Sequence, residues 1–402
     1  MRKNVSFCSK YKLCCSCGFC SDVCPKSAIT IENKDGIFSP KINKKLCSNC
    51  GLCFDLCAGK GNDWYGQSLN LNEDLKDSFI KNVGFYRKSF ISHSTDYEIR
   101  FHCASGGTVS AILIYLLEKK IIDGAVVTRF KKDNPLEVET VIATTKEEIL
   151  NAKSSKYCPV HMDGILTQLK SFNGKIAFVG LPCHIQTLRK IENKFDWLKE
   201  KIVLHIGLFC SGTKDSKALD YILKVNNFEI NGIKTFSYRD DGCLGYVKAT
   251  YESKTKSIPY IQAYNKLHSY FKPERCVSCI DHFAYLSDIS IGDIDCEPYS
   301  ADKVGSNSVI IRSKTALDFF NAAVNAQYIE ASEIPVTEIV RSQRVLFYRN
   351  QTFKANRVLS RLFFQQTVKY DKYVDTKLTV KAFIWILFYK LQRLLNKVGI
   401  KK

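Results

Sequence analysis

The sequence predicts an α/β protein in three parts: a small cysteine-rich module, a larger α/β domain with a mostly parallel sheet, and a basic helical C-terminal tail. Eight cysteines fall in two identically spaced runs within the first sixty residues. Strand-like and helical patterns alternate through the middle of the chain, and positive charge gathers at its C-terminal end. A length of 402 residues suits two or three cores, since a single core stops growing near about 250–300 residues. With 45% hydrophobic and 25% charged residues, the composition excludes a disordered or collagen-like chain. The expected divisions are 1–60 for the module, 61–78 for a linker, 79–330 for the large domain and 331–402 for the tail.

The chain holds 18 Cys and carries a formal charge of +19. Its first residues run from Met1-Arg2-Lys3 to Cys8 without the apolar stretch of a signal peptide, so a secreted disulfide scaffold is not expected. A cytoplasmic chain is expected, in which abundant thiols serve as metal ligands or redox groups.

Cys14, Cys17, Cys20 and Cys24 are spaced C-x2-C-x2-C-x3-C and followed by Pro25; Cys47, Cys50, Cys53 and Cys57 repeat the spacing 33 residues later. Gly18 and Gly51 hold matching places, so the region is an internal repeat of one small unit. It is similar to a ferredoxin-type 2[4Fe-4S] module. Three closely spaced thiolates wrap three corners of a cubane, and the fourth reaches the other cluster. One [4Fe-4S] centre is therefore assigned to Cys14, Cys17, Cys20 and Cys57, the other to Cys47, Cys50, Cys53 and Cys24. Zinc knuckles would use only four ligands, which this pattern overfills. Ala58 replaces the usual second proline, and Cys8 and Cys15 are left over as spare buried thiols. Between the runs, 28–31 and 36–38 read as a hairpin with an Asp35-Gly36 turn.

Residues 61–78 are polar and glycine-containing, hence the expected linker. Ser105-Gly106-Gly107 then precede Val109, Ile112, Leu113, Leu116 and Leu117, the stripe of a buried-face helix. Small residues at a helix N-terminus suit a phosphate group, although no complete G-x-G-x-x-G or P-loop is present. Strand patterns at 121–128, 175–179 and 201–206 alternate with helical ones at 185–191 and 218–223. This order favours right-handed crossovers and ligand sites at the carboxyl ends of the strands. Cys183 and Cys210 each follow a strand, and Cys276 and Cys279 form a lone C-x2-C pair. Together these four are read as ligands of a third [4Fe-4S] centre, with half a zinc site or plain buried thiols as the alternative. Cys103, Cys158, Cys243 and Cys296 receive no role.

The motifs Ser105-Gly106-Gly107, Ser155-Lys156-Tyr157, Leu181-Pro182-Cys183-His184, Leu208-Phe209-Cys210, Cys276-x2-Cys279-Ile280-Asp281 and Asp288-Ile289-Ser290-Ile291-Gly292-Asp293 follow in one order. That order, from about residue 80 to 330, resembles the coenzyme F420 hydrogenase/dehydrogenase beta subunit family, in which a preceding two-cluster module is familiar. The resemblance implies a bound FAD, a nearby [4Fe-4S] centre and hydride exchange with a deazaflavin. Relatives in chlorophyll metabolism and polysaccharide gene clusters use other or unknown partners. Ser105, Gly106, Gly107, Ser155, Lys156, Tyr157, Asp288 and Asp293 carry over as cofactor-site candidates. From spacing alone, Lys156 reads as a solvated lysine, and the two aspartates as turn or capping residues. His184 stands where the family usually has Gln, and is read as a hydrogen-bonded helix residue rather than a catalytic one. Asp293-Ile294-Asp295-Cys296 lacks the aromatic pair of the polysaccharide branch, which leaves the substrate open.

The expected function is an iron-sulfur flavoprotein oxidoreductase passing electrons between a deazaflavin, or another hydride-exchanging small molecule, and a protein donor or acceptor. Flavin converts a two-electron hydride into the single electrons that clusters carry. An electron-relay adaptor without its own substrate, or a polysaccharide-cluster reductase, are the alternatives; no proton-carrying catalytic residue is named.

Residues 341–402 hold fifteen Lys and Arg against Asp371 and Asp375, +13 of the total, and read as a separate element. Its apolar run at 381–390 is too short to span a bilayer. It is expected either to lie on an anionic membrane, at most peripherally on the inner face, or to cover the protein's own core. No finger, RNA-binding motif or basic-region heptad points to nucleic acid.

Overall fold

The computed structural model describes residues 2–76, 78–80, 82–343, 345–363, 365–370 and 378–397; Asp371, Asp375 and the chain after 397 lie outside them. In the cysteine-rich module, β1 (Ile29–Lys34) and β2 (Ile37–Ile42) pair antiparallel, with Lys34 opposite Ile37. The turn between them places Asp35 at φ 55° and Gly36 at φ 81°, the left-handed pair that a two-residue hairpin requires.

Within 61–78, expected as a linker, the described residues carry a helix and a 3-10 turn. Asp63 caps α1 (Trp64–Leu71) by accepting from the Gly66 amide at 3.0 Å. Trp64 is buried against Phe79 and Tyr285. Some of the segment's polar residues turn inward: Gln67 donates to the buried Asn62 at 2.8 Å, and the buried Asn72 to the Ser68 carbonyl at 3.0 Å. Polarity did not signal solvent because these amide groups find donors or acceptors inside the fold.

The large domain is built on an eight-stranded sheet. Its strands are β3 (Lys88–Ser94), β4 (Gly124–Phe130), β5 (Val138–Ala143), β6 (Ile176–Gly180) and β7 (Ile202–Leu208). A separate antiparallel sheet of β8 (Thr235–Asp240), β9 (Tyr246–Thr250) and β10 (Thr255–Pro259) follows, and then β11 (Ile289–Asp293), β12 (Asn307–Ile311) and β13 (Ile329–Glu333) complete the large sheet. The order is β13-β3-β12-β11-β7-β6-β4-β5. The four strands β11, β7, β6 and β4 run parallel, and antiparallel strands extend both edges.

Ile176-Ala177-Phe178 shows why the centre is parallel: all three residues are buried, which fits a strand covered on both faces. One face packs under α2 (Thr108–Glu118), α3 (Lys146–Asn151) and α5 (Lys314–Asn325). The other packs under α4 (Pro182–Glu192) and receives the cysteine module, whose Cys17, Phe19 and Val23 join Phe178, Ile185 and Leu188 in one core. Asp22 locks the docking by accepting from the amides of Gly164 at 2.7 Å and Leu166 at 2.8 Å.

The described helices of the C-terminal region pack on the large domain. α6 (Val345–Leu362) and α7 (Val380–Lys397) pack together over Val277, between the two cysteines of the C-x2-C pair.

Candidate functional site

β4, β6, β7 and β11 end on one edge of the sheet, where a cleft of about 430 Å³ opens. Ligands of parallel α/β sheets bind at such an edge. Ser105 and Gly107 reach the cleft from the turn before α2, where Gly107 adopts φ 74°. The Ser105 hydroxyl donates to Asp293 at 2.9 Å and accepts from Asn307 at 2.6 Å. Asp293 also pairs with Arg239, a β8 residue only 1% exposed. The Arg239 guanidinium lies 5.2 Å from the Tyr260 ring centre and donates to the Leu244 carbonyl at 2.9 Å. The cleft's polar wall is thus held on two sides before any ligand enters.

Ser155, Lys156 and Tyr157 form part of another wall. Lys156 is not the solvated lysine expected from spacing. Its ammonium donates to the carbonyls of Ala152, Lys153 and Ser154 at 2.5, 2.7 and 3.1 Å, closing the end of α3. Burial brings its pKa down to about 7. His184 also lines the cleft, 1% exposed, and accepts from the Leu181 amide at 3.4 Å. Burial lowers its pKa to about 4, so the ring is neutral near pH 7.

The cysteines gather in three places. One cavity is lined by Cys14, Cys17, Cys20 and Cys57 together with Cys8, Cys15 and Cys53; a second is lined by Cys24, Cys47, Cys50 and Cys53, so that Cys53 borders both. Cys57 lines only the first and Cys24 only the second, so the last cysteine of each run faces the other run's cavity. Cys183 starts α4, Cys210 follows β7, and Cys276 and Cys279 flank the end of the short helix Glu274–Val277. Cys183 and Cys210 influence each other electrostatically, as do Cys210, Cys276 and Cys279. Cys210 also lines the cleft.

Among the described residues, no three cysteine sulfurs lie within 4.8 Å of one another. A single tetrahedral zinc, with bonds of about 2.3 Å, would draw its ligands closer than that. Four thiolates in one buried site repel, and the surroundings answer with cations. Arg275 is 3% exposed, donates to the Ala58 carbonyl at 3.3 Å, and leaves Nε and Nη1 without hydrogen-bond partners among the described residues. Its guanidinium faces Cys15, Cys279 and Cys183. A buried guanidinium with two N–H groups still unpaired, beside cysteine sulfurs, fits an anionic iron-sulfur cluster.

Two models describe the N-terminal and C-terminal parts of the coenzyme F420 hydrogenase/dehydrogenase beta subunit; residues 90–167 match the first and residues 173–337 the second. The chain belongs to the coenzyme F420 hydrogenase/dehydrogenase beta subunit family. Residues 13–60 match a 4Fe-4S dicluster domain, so this family member is an iron-sulfur electron-transfer oxidoreductase.

The chain is 28% identical to the beta subunit of coenzyme F420 hydrogenase of Methanosarcina barkeri, over 64% of this chain and 84% of that protein. It is 27% identical to the F subunit of the F(420)H(2) dehydrogenase of Methanosarcina mazei, over 82% and 88%. A coenzyme F420-dependent sulfite reductase of Methanocaldococcus jannaschii is 25% identical over 80% of this chain and 48% of its own length. Among solved structures, a chain of the F420-reducing [NiFe] hydrogenase complex from Methanosarcina barkeri superposes with a TM-score of 0.55, covering 72% of this chain and 97% of that one. At 22% identity that likeness concerns the fold.

In this F420 hydrogenase/dehydrogenase beta subunit-like chain, Ser105, Gly107, Ser155, Lys156, Tyr157 and Asp293 line the cleft, whereas Gly106 and Asp288 do not. A Cβ on Gly106 would come within 2.7 Å of the Asn307 side chain and 2.8 Å of the Ser92 carbonyl, so this glycine lets the turn sit against β3 and β12. Asp288, read from the sequence as a site residue, lies away from this cleft. It precedes β11 while Asp293 ends it, and five residues at about 3.3 Å each put them at opposite ends of the strand.

Asp288 instead accepts from the His205 ring at 2.8 Å and pairs with Arg189 at 3.1 Å, while His205 meets Glu192 at 2.6 Å. Burial opposes the Asp288 charge, but Arg189 and His205 outweigh it and hold the carboxyl well below the usual range.

Cys15 lines the first cavity and lies close enough to Cys183 of the third cysteine group for the two thiols to influence each other electrostatically. Cys8 stands against Cys57 in the same way. Cys103 lines the cleft, Cys158 is buried, Cys243 accepts from Arg239 at 3.7 Å, and Cys296 lies 3.9 Å from the Glu338 carbonyl.

Sequence reasoning missed Arg239, Tyr260, His282, Asn307 and Gln343. The His282 ring lies 3.0 Å from both the Cys210 carbonyl and the Gln343 side chain, and burial lowers its pKa to about 3. Each of these residues is isolated in sequence, with no spacing to mark it.

Proposed function

We propose that the chain is an FAD-dependent iron-sulfur oxidoreductase that exchanges electrons between a coenzyme F420-like deazaflavin and a protein partner. The observation that carries this is the sharing of Cys210 by the cleft and the third cysteine group. Cys183, Cys210, Cys276 and Cys279 would hold a third [4Fe-4S] centre at the cleft's edge, and the two cavities of the module would hold the others. Ser105, Gly107, Ser155, Lys156, Tyr157 and Asp293 would hold FAD.

The residues present fit that cofactor. Hydroxyls and the α2 N-terminus suit its phosphates and sugar chain, while Val127, Val179, Leu181 and Ile291 offer an apolar surface for a ring. Bound flavin supplies the exchange between two-electron hydride chemistry and one-electron carriers. The protein's own part is positional. The Ser105–Asp293–Arg239 chain fixes one wall, and the neutral His184 and His282 rings add no charge to it. From the cleft the cysteine groups succeed one another through Cys15 to the first cavity and on to the second, where Cys50 is exposed. A protein partner would exchange electrons at that exposed end. A relay adaptor would need no cleft, and a polysaccharide-cluster reductase would keep the same cofactors with another substrate.

The test is iron, acid-labile sulfide and flavin per chain after anaerobic purification, followed by reduction with a deazaflavin donor. About 12 iron and one FAD are expected, from three four-iron centres. About 8 iron and no flavin, even after FAD is added, would overturn the reading.

A further inference from the structure

α7 is apolar on two opposite faces. On the inner face Ala382, Ile386 and Tyr389 are buried against Val277, Ala355 and Leu359. The Tyr389 hydroxyl and the Arg393 guanidinium both donate to the Lys272 carbonyl at 2.7 Å. The helix is therefore anchored to the large domain and does not need its outer face for its own packing.

That outer face is nevertheless apolar. Ile384, Phe388, Leu391 and Leu394 are 60%, 55%, 52% and 60% exposed, and at about 100° per residue they form one stripe along the helix. A helix that is apolar all round is ordinarily covered all round, and an exposed apolar stripe on an anchored element marks an interaction surface.

The charge around the stripe says what covers it. Lys381, exposed beside the Tyr348 ring, and Lys390, half-buried near Glu274, lie about 80–100° to either side, bordering it on both flanks. From residue 380 to 402 the chain has six Lys and Arg, of which Arg393 turns inward, and no Asp or Glu. Lysine stems extend along an apolar surface while their ammonium groups reach polar headgroups, the pattern of a helix lying in an anionic lipid interface. Trp385, 37% exposed, suits the same boundary. None of the described helices is long and apolar enough to cross a membrane, so the contact is one of lying on the surface.

We propose that the outer face of α7 docks this protein onto an anionic lipid surface. The inference is independent of the cofactor and substrate assigned above.

The experiment is co-sedimentation of the anaerobically purified full chain with vesicles of phosphatidylcholine alone and of phosphatidylcholine with 30% phosphatidylglycerol. Two variants are run beside it: Ile384→Ser with Leu391→Ser, and Lys381→Gln with Lys390→Gln. All replaced side chains border or form the outer face, and unchanged iron content shows that the variants are folded.

The wild type is expected to bind anionic vesicles at least tenfold more tightly than neutral ones, and to be released by salt. The serine variant should lose at least tenfold in binding, and the glutamine variant should lose most of the preference for anionic lipid. Equal binding to both vesicle types, no binding to either, or full binding by the serine variant would overturn the proposal. So would a wild-type dimer in solution that the serine variant converts to monomer, since a second copy would then be the occupant.

Discussion

Arg349 on α6 donates from Nε to the carbonyl oxygen of Cys279 at 2.7 Å. It also donates to the Cys210 carbonyl, so one buried guanidinium from the C-terminal region ties together two loops of the third cysteine group. Replacing Arg349 by Leu should release both loops and lower iron from about 12 to about 8 per chain, with the signals of the two module clusters retained. Iron analysis with electron paramagnetic resonance checks this; an unchanged count would show that the cysteines hold their cluster without the clamp.

The crossed arrangement of Cys57 and Cys24 predicts which centre each variant damages. Cys57→Ser should impair the cluster of Cys14, Cys17 and Cys20, and Cys24→Ser that of Cys47, Cys50 and Cys53. Each variant should lose about four iron or convert its cluster to a three-iron form, seen by electron paramagnetic resonance. Damage to the centre within the same run would refute the crossing.

Arg275 faces cysteines on both sides of the junction between the module and the large domain. A cation beside a cluster favours its reduced, more negative state, so Arg275→Met should lower the midpoint potentials of the adjoining centres. Loss of one charge-assisted hydrogen bond, about 1.5–3 kcal/mol, corresponds to about 65–130 mV in a one-electron couple. A redox titration followed by electron paramagnetic resonance measures the shift, and Arg275→Lys should restore part of it.

The buried His205–Asp288–Arg189–Glu192 group predicts a pH dependence of stability. Burial and Arg189 push the His205 pKa down, but Glu192 and Asp288 outweigh them and raise it. Its contribution is therefore complete below about pH 6.5 and is lost as pH rises through the folded value. Asp288 is depressed, so its contribution is present above about pH 3.9 and disappears as pH falls through its folded value.

The stability difference between wild type and His205→Gln should accordingly be larger at about pH 6 than at pH 9, as measured by denaturant unfolding. Asp288→Ala should cost about 3–5 kcal/mol near neutral pH, because Arg189 and His205 lose a buried counter-charge. It should leave flavin content unchanged in the chains that fold; loss of flavin from folded Asp288→Ala protein would return this residue to the site.

By itself the sequence determined what local spacing can encode. Cysteines at fixed intervals, the Asp35-Gly36 turn and the alternation that makes β4, β6 and β7 parallel are short-range patterns, and each reflects the geometry of one turn or one crossover. The same alternation brought Cys183 and Cys210 to one sheet edge. Tertiary structure alone decided the rest. Arg239, Arg275, Arg349 and His282 are single polar residues from distant segments, and a buried charge leaves no periodicity in the sequence that carries it. The motif joining Asp288 to Asp293 looks continuous, yet a strand runs between them, so only Asp293 reaches the cleft. Likewise α1 and the paired α6 and α7 become packed parts of the domain because their partners, Tyr285 and Val277 among them, lie far away in the chain.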